Sequence, residues 1–171
     1  SAKSVANAMM KQIFVHGFFH GDPHPGNILV RPDGKIVFID FGLMGRIDRL
    51  TKYKLSELIV GVMNQDSERV SNSILDISHV DNDIDVVKFE MDVEDLVDRY
   101  YGKALVQINI ASLLNEVFTL VAKYRIILPS NFTLLLKSLI TIEGVGRELD
   151  PDFNVFEVAK PFVKKLLQEY Y

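Results

Sequence analysis

His20-Gly21-Asp22-Pro23-His24-Pro25-Gly26-Asn27, followed thirteen residues after Asn27 by Asp40-Phe41-Gly42, is the stretch from which the fold can be read. Two prolines fix φ at positions 23 and 25, and Asp22 and His24, each preceding a proline, are driven toward extended backbone. The loop is therefore stiff, which suits groups that must be held in place. Between its two parts, Ile28–Val30 and Lys35–Ile39 read as short strands around Asp33-Gly34, a strong local hairpin signal. If Asp33 and Gly34 form a two-residue turn, cross-strand partners sum to 67, and Asn27 plus Asp40 make 67. The spacing thus predicts an amide oxygen and a carboxylate facing each other, Cα atoms about 5 Å apart. Two hard oxygen donors with room for water and phosphate oxygens suit Mg²⁺. Each residue also has a plainer reading. Asp22 could be an Asx-turn residue before proline, Asn27 a cap and Asp40 a strand-end turn residue.

Outward from this stretch the texture changes. Residues 16–48 hold six of the ten glycines and three of the four histidines. Ahead of it, Val5, Met9 and Ile13 recur every four residues with Ala6, Met10 and Phe14 beside them, predicting a helix over 4–15 that Gly17 ends. Beyond Leu50 the pattern is helical, near 51–64, 67–78, 93–106, 110–125, 131–148 and 154–169. Asn154 and Glu157 stand at capping-box spacing, and Pro161 predicts a kink in the last helix. Residues 79–91 read as a surface loop. Its Asp81, Asp83 and Asp85 lack the glycine and distal glutamate of a calcium loop. The whole reads as a mainly α fold with one β-hairpin at its active edge, a single domain.

Composition narrows the function. The 171 residues are 48% hydrophobic and 25% charged, ordinary globular usage, and contain no cysteine. Thiolate catalysis, disulfide frameworks and cysteine–zinc sites are excluded. Nineteen basic against 23 acidic residues leave a net charge of −4, so no broad basic surface for nucleic acid is expected. The longest charge-free run, Ala104–Asn115, has 12 residues, against about 20 for a membrane-spanning helix.

An Asp-x4-Asn pair followed by Asp-Phe-Gly resembles the catalytic and metal loops of protein kinases, in which the first aspartate takes the acceptor proton and the other two residues hold metal. The fuller form His-x-Asp-Pro-His-Pro-Gly-Asn-Ile-Leu-Val (20–30), then Ile-Asp-Phe-Gly-Leu-Met-Gly (39–45), resembles the UbiB (AarF/ADCK) family of atypical kinases. Leu128-Pro129, Ile142-Glu143-Gly144 and Leu149-Asp150-Pro151-Asp152-Phe153 are similar to it as well. The resemblance implies that Asp22 is catalytic, that Asn27 and Asp40 bind Mg²⁺ and thereby ATP, and that His20, Phe41 and Gly42 are structural at the site. It also implies kinase or ATPase chemistry in isoprenoid-quinone (ubiquinone/coenzyme Q-type) biosynthesis, membrane association, and lipid or quinone-pathway partners. Gly21 stands where that family usually has alanine and protein kinases arginine, which argues against control by a phosphorylated activation loop. The family's amino-terminal lobe carries an alanine-rich nucleotide loop, a Lys-x-Gly-Gln element and a lysine–glutamate pair. None has counterparts here. The chain therefore reads as a protein-kinase-like carboxy-terminal lobe, inactive by itself, whose partner is the missing amino-terminal lobe. That lobe would dock on residues 20–42, an edge expected to expose Phe18, Phe19 and Phe41.

Three rival readings are open. His20, Asp22 and His24 alternate and on an extended segment could share a face as zinc ligands. Aminoglycoside/choline kinase-like phosphotransferases have a similar loop but usually place an acidic residue two positions after the metal aspartate, where this chain has Gly42. A pseudokinase scaffold would bind nucleotide without transferring phosphate. His24 is expected to hydrogen-bond within the loop, and His16 and His79 to lie at the surface.

Overall fold

The structure is a computed structural model and describes residues 2–80, 83–103 and 108–170, the side chains of Ile110 and Tyr170 excepted. Asp81, of the aspartate-rich loop, and residues 104–107 of the charge-free run lie outside the described residues. The chain divides into two compact units, one formed by residues 1–49 with 131–171, the other by residues 50–130.

The first unit opens with α1 (Ala2–Met10), whose Val5, Ala6, Met9 and Met10 are buried as their spacing predicts. The helix continues as a π-turn, Lys11–His16, that buries Ile13 and Phe14, and Gly17 ends it in the left-handed conformation at φ 67°. Phe14 stacks on Phe162, ring centroids 6.3 Å apart. Four three-residue strands follow: β1 (Phe18–His20), β2 (Ile28–Val30), β3 (Ile36–Phe38) and β4 (Met44–Arg46). β2 pairs antiparallel with β3, the expected hairpin. β1 pairs antiparallel with β4 in a second small sheet that the reading of one hairpin did not contain. Three-residue strands are too short to show alternation, and these two partners lie far apart in sequence, so no local signal marked them.

Two long helices complete this unit, α6 (Ser130–Leu149) and α7 (Val155–Tyr170), numbered after the four described helices of the second unit that precede them in the chain. α1 packs against α7. The first turn of α7 is capped twice. Asn154 Oδ1 accepts the N–H groups of Phe156 and Glu157 at 2.9 and 3.2 Å. The buried Glu143 carboxylate of α6 accepts Val155 N–H at 2.7 Å and pairs with Arg147. Gly146 of α6 lies against the Phe153 ring so closely that a Cβ there would sit 2.1 Å from Cδ1.

The second unit is helical. α2 (Arg49–Met63), α3 (Ser67–Ile77) and α5 (Ile110–Lys123) match their expected spans within a few residues. α4 does not. It runs Val86–Tyr100, beginning seven residues ahead of the expected 93–106 and so taking up much of the loop expected over 79–91, while residues 104–106 of that expectation lie outside the described residues. Its N-cap is Asp85, whose side chain accepts Lys88 N–H at 3.1 Å. The first turn carries the exposed Val86 and Val87, which do not join the buried stripe and so hid the helix start. Phe89, Val93 and Val97 of α4 pack with Val70, Ile74, Val121 and Ile126 as the core. His79 lies at the surface, as expected, and its main chain bridges to Ile127.

α4 and α5 are tied by two tyrosine–carboxylate bonds, Tyr124 donating to Asp92 and Tyr100 to Glu116. Burial and the Asp92 carboxylate push the Tyr124 phenol up to about 12. Burial and Glu116 do the same to Tyr100, also to about 12. A phenol that ionises near pH 10 when unfolded but holds its proton to about 12 when folded contributes stability that is complete below pH 10 and is lost as pH rises through 12. Thermal melts followed by circular dichroism are therefore expected to lose midpoint steeply between pH 10 and 12. The double variant Tyr100→Phe/Tyr124→Phe should show a flatter profile, and a wild-type profile equally flat would contradict the assignment. No helix among the described residues is long and apolar enough to cross a membrane.

Candidate active site

The β2–β3 hairpin is built on a three-residue turn. Arg31 N–H donates to Lys35 O at 2.9 Å and Gly34 N–H to Arg31 O at 2.8 Å, with Gly34 at φ 83°. Pro32, Asp33 and Gly34 thus form the loop, and the register follows Ile28↔Phe38, Leu29↔Val37 and Val30↔Ile36. Partners sum to 66, not 67. Asn27 accordingly faces Ile39, whose N–H it accepts at 2.9 Å, and the expected Asn27–Asp40 facing pair is corrected by one residue. The cause is the left-handed glycine, which adds a residue to the turn. Asp40 then leaves the strand with φ 56°, a conformation that aspartate adopts more readily than most residues.

Asp40 is still joined to the proline loop, through His20. His20 is buried at 1% exposure. Its Nδ1 accepts the N–H of Asp22 at 3.0 Å. An accepting Nδ1 requires the proton on Nε2, and Nε2 lies 2.9 Å from both the Ile39 and the Asp40 carbonyl oxygens. The ring also packs on Phe38 and Phe41. Both nitrogens are occupied by main-chain partners, so His20 is structural, and the zinc reading of His20, Asp22 and His24 falls. Among the described residues no group of three or more His, Asp or Glu side chains could hold a metal.

On the proline side, Asn27 is buried and donates from Nδ2 to the Asp22 carbonyl at 3.0 Å, across a 3₁₀ turn spanning Pro25–Asn27. The amide nitrogen being engaged, its oxygen is the atom able to bind a cation. His24 accepts Gly26 N–H at 3.0 Å, the loop role expected of it, and its Nε2 lies 3.6 Å from the Asp22 carboxylate. The Asp22 side chain is half exposed. The Asp40 carboxylate is exposed and accepts Gly42 N–H at 3.3 Å. Asp22, Asn27 and Asp40 therefore hang from one frame made of main-chain atoms and one imidazole. Two carboxylates and an amide so held can accept a proton and offer hard oxygen donors.

Phe41 is 63% and Phe18 44% exposed, as expected of the 20–42 edge. Phe19 is not: it is fully buried, packed against Gly45, its cross-strand partner in β4. The sequence also gave no sign of three residues behind the loop. Gln12 accepts the N–H of His20 at 2.8 Å. The Ser138 hydroxyl, donated to Leu134 O at 2.9 Å, lies 3.5 Å from the His20 carbonyl. The Leu134 side chain fills the space a Cβ at position 21 would need, Cδ2 standing 2.7 Å from it. Unremarkable side chains on helices carry no motif by which sequence reading could find them.

An aspartate–asparagine loop bound through one histidine to an Asp-Phe-Gly loop, on a mostly helical body, defines a kinase-like protein. The description "ABC1 atypical kinase-like domain" matches residues 2–74, and "UbiB helical domain" matches residues 93–154. The chain belongs to this UbiB/ABC1 family of atypical kinases. It is 36% identical over 163 residues to an uncharacterized protein of Synechocystis sp., covering 95% of this chain and 28% of that protein. To the Arabidopsis thaliana protein named "activity of BC1 complex kinase 1, chloroplastic" it is 35% identical over 161 residues, covering 94% and 24%. To a probable protein kinase UbiB of Xylella fastidiosa it is 30% identical over 166 residues, covering 94% and 30%. The chain spans about a quarter to a third of the length of these curated relatives.

Proposed function

We propose that this chain is the carboxy-terminal lobe of an atypical kinase or ATPase that uses Mg·ATP, and that it contributes the catalytic loop and the metal loop. The observation that carries the reading is the His20 bridge, which ties Asp22 N–H to the Asp40 carbonyl. In this reading Asp22 orients the acceptor hydroxyl or water and accepts its proton. Asn27 Oδ1 and the Asp40 carboxylate hold Mg²⁺, with His20, Phe41 and Gly42 keeping the loops in place. The donor set fits: hard oxygens only, and few of them, as for Mg²⁺ sites that share the ion with phosphates and water. Bound there, Mg²⁺ would neutralise charge on the phosphate oxygens. An amino-terminal lobe would close over the exposed Phe18 and Phe41 and supply the phosphate-anchoring lysine.

The acceptor in this reading is small, lipid-like or water. Only Leu43 separates Gly42 from β4, and α2 begins at Arg49. That leaves no room for the long activation segment on which protein kinases lay a peptide. A role in isoprenoid-quinone biosynthesis at a membrane, which the family resemblance implies, fits such an acceptor. The test is full-length protein with Mg²⁺ and radiolabelled ATP, alone and with a broad peptide library. ADP release is expected in the wild type and is expected to fall at least a hundredfold in Asp22→Asn. Efficient Asp22-dependent peptide labelling would overturn the proposed acceptor, and no turnover at all would overturn the kinase reading.

A further inference from the structure

β1 is paired along one edge only. Gly21 N–H donates to Leu43 O and Ile47 N–H to Gly17 O, both at 2.8 Å. Antiparallel hydrogen-bonded pairs alternate along a strand, so the main chain of residues 17, 19 and 21 faces β4 and that of His20 faces away. A buried N–H turned away from its sheet must find another acceptor. Gln12 Oε1 provides it at 2.8 Å. Gln12 lies in the π-turn Lys11–His16, and its main-chain carbonyl accepts the N–H of Gly17, the residue that ends the turn. Both carbonyl oxygens of Gln12 thus grip the returning chain, one at each end of the segment that delivers His20. π-turns are rare, and they tend to occur where a functional side chain must be aimed.

We infer that Gln12 is a positioning residue for Asp22 and Asp40, acting through the main chain of His20; this rests on the kinase reading above. The path is short and continuous. Gln12 Oε1 sets where His20 sits along β1, Nδ1 of its imidazole holds Asp22 N–H, and Nε2 holds the carbonyl of Asp40. Loss of the Gln12 acceptor frees His20 to shift toward solvent or toward β4, and both loops move with the ring. Gln12 itself touches neither nucleotide nor acceptor in this arrangement, so substrate affinity should respond less than turnover.

The test uses full-length protein with two substitutions of similar length. Gln12→Met removes the acceptor, and Gln12→Glu keeps it. Turnover number, KM for ATP, melting temperature and amide exchange at His20 and Asp22 are measured for each. Gln12→Met is expected to lower kcat by about 10–100-fold, the scale of a misplaced catalytic group. KM for ATP should change less than kcat falls, and the Asp22 amide should exchange faster. Gln12→Glu is expected to recover most of the lost kcat and the slow exchange. An active wild type whose Gln12→Met variant turns over equally fast overturns the proposal. So does a parallel fall of kcat and melting temperature in both variants, which would make Gln12 a packing residue. A wild type without turnover removes the kinase reading, and the proposal with it.

Discussion

Asparagine in place of Asp40 is expected to lower Mg²⁺-dependent ATP turnover of the full-length protein by about 10²–10³-fold, the usual scale for one lost electrostatic contact at developing charge. The melting temperature is expected to stay within about 2 °C, because little in the fold depends on the negative charge. The Asp40 carboxylate is exposed and bonds only weakly, to Gly42 N–H at 3.3 Å, and an amide oxygen can keep that bond. The link to His20 runs through the Asp40 main-chain carbonyl, which the substitution leaves in place. The φ of 56° is as acceptable to asparagine as to aspartate. The experiment therefore separates charge from shape. Equal losses of melting temperature and rate would show that Asp40 is a turn residue and nothing more.

A large loss of stability is expected from a single methyl group at Gly45. A Cβ there would lie 2.2 Å from Phe19 Cζ and 2.6 Å from Cε1. Phe19 is fully buried, and it is the cross-strand partner of Gly45 in the β1–β4 pair. The ring has nowhere to retreat without opening that pair. Gly45→Ala is expected to destabilise by about 3 kcal/mol, the upper part of the usual overpacking range. For a chain of this size that corresponds to a melting temperature lower by roughly 6–12 °C. Gly144→Ala is the control, since a Cβ there meets nothing within 4 Å. On an exposed helix position it should be neutral or slightly stabilising. A Gly45→Ala protein that melts with the wild type would mean that the Phe19–Gly45 packing is wrong.

What the sequence reveals and what it hides divide along the range of the interactions. Helix stripes such as Val5, Met9 and Ile13, the Gly17 stop and the Asn154 cap are local signals, and each lies where its pattern puts it. The hairpin register missed by one residue because a two-residue and a three-residue turn differ only in how Gly34 is used. α4 was misplaced because Asp85, its cap, stands in a run of alternating aspartates and its first turn is exposed. The β1–β4 sheet, and the support of His20 by Gln12, depend on chain segments meeting in space and leave no local trace. The residues singled out for the site were legible as a spacing. The histidine that makes one frame of them was expected to be structural at the site, but the main-chain atoms it joins left no local trace.

That frame has an evolutionary consequence. Apart from the imidazole and the Asn27 amide, its bonds end on peptide groups: the N–H and carbonyl of Asp22, the carbonyls of Ile39 and Asp40. Peptide groups are the same whatever side chain they carry. The scaffold is therefore indifferent to the side chain at position 22, and at position 40, held at φ 56°, it accepts asparagine as readily as aspartate, so these changes carry little folding penalty to select against them. On the proposed role of Asp22, a lineage sheds phosphoryl transfer by one substitution there and keeps an intact architecture for other work. Active and silent members of such a family would then differ by very few residues, and their folds would be superimposable.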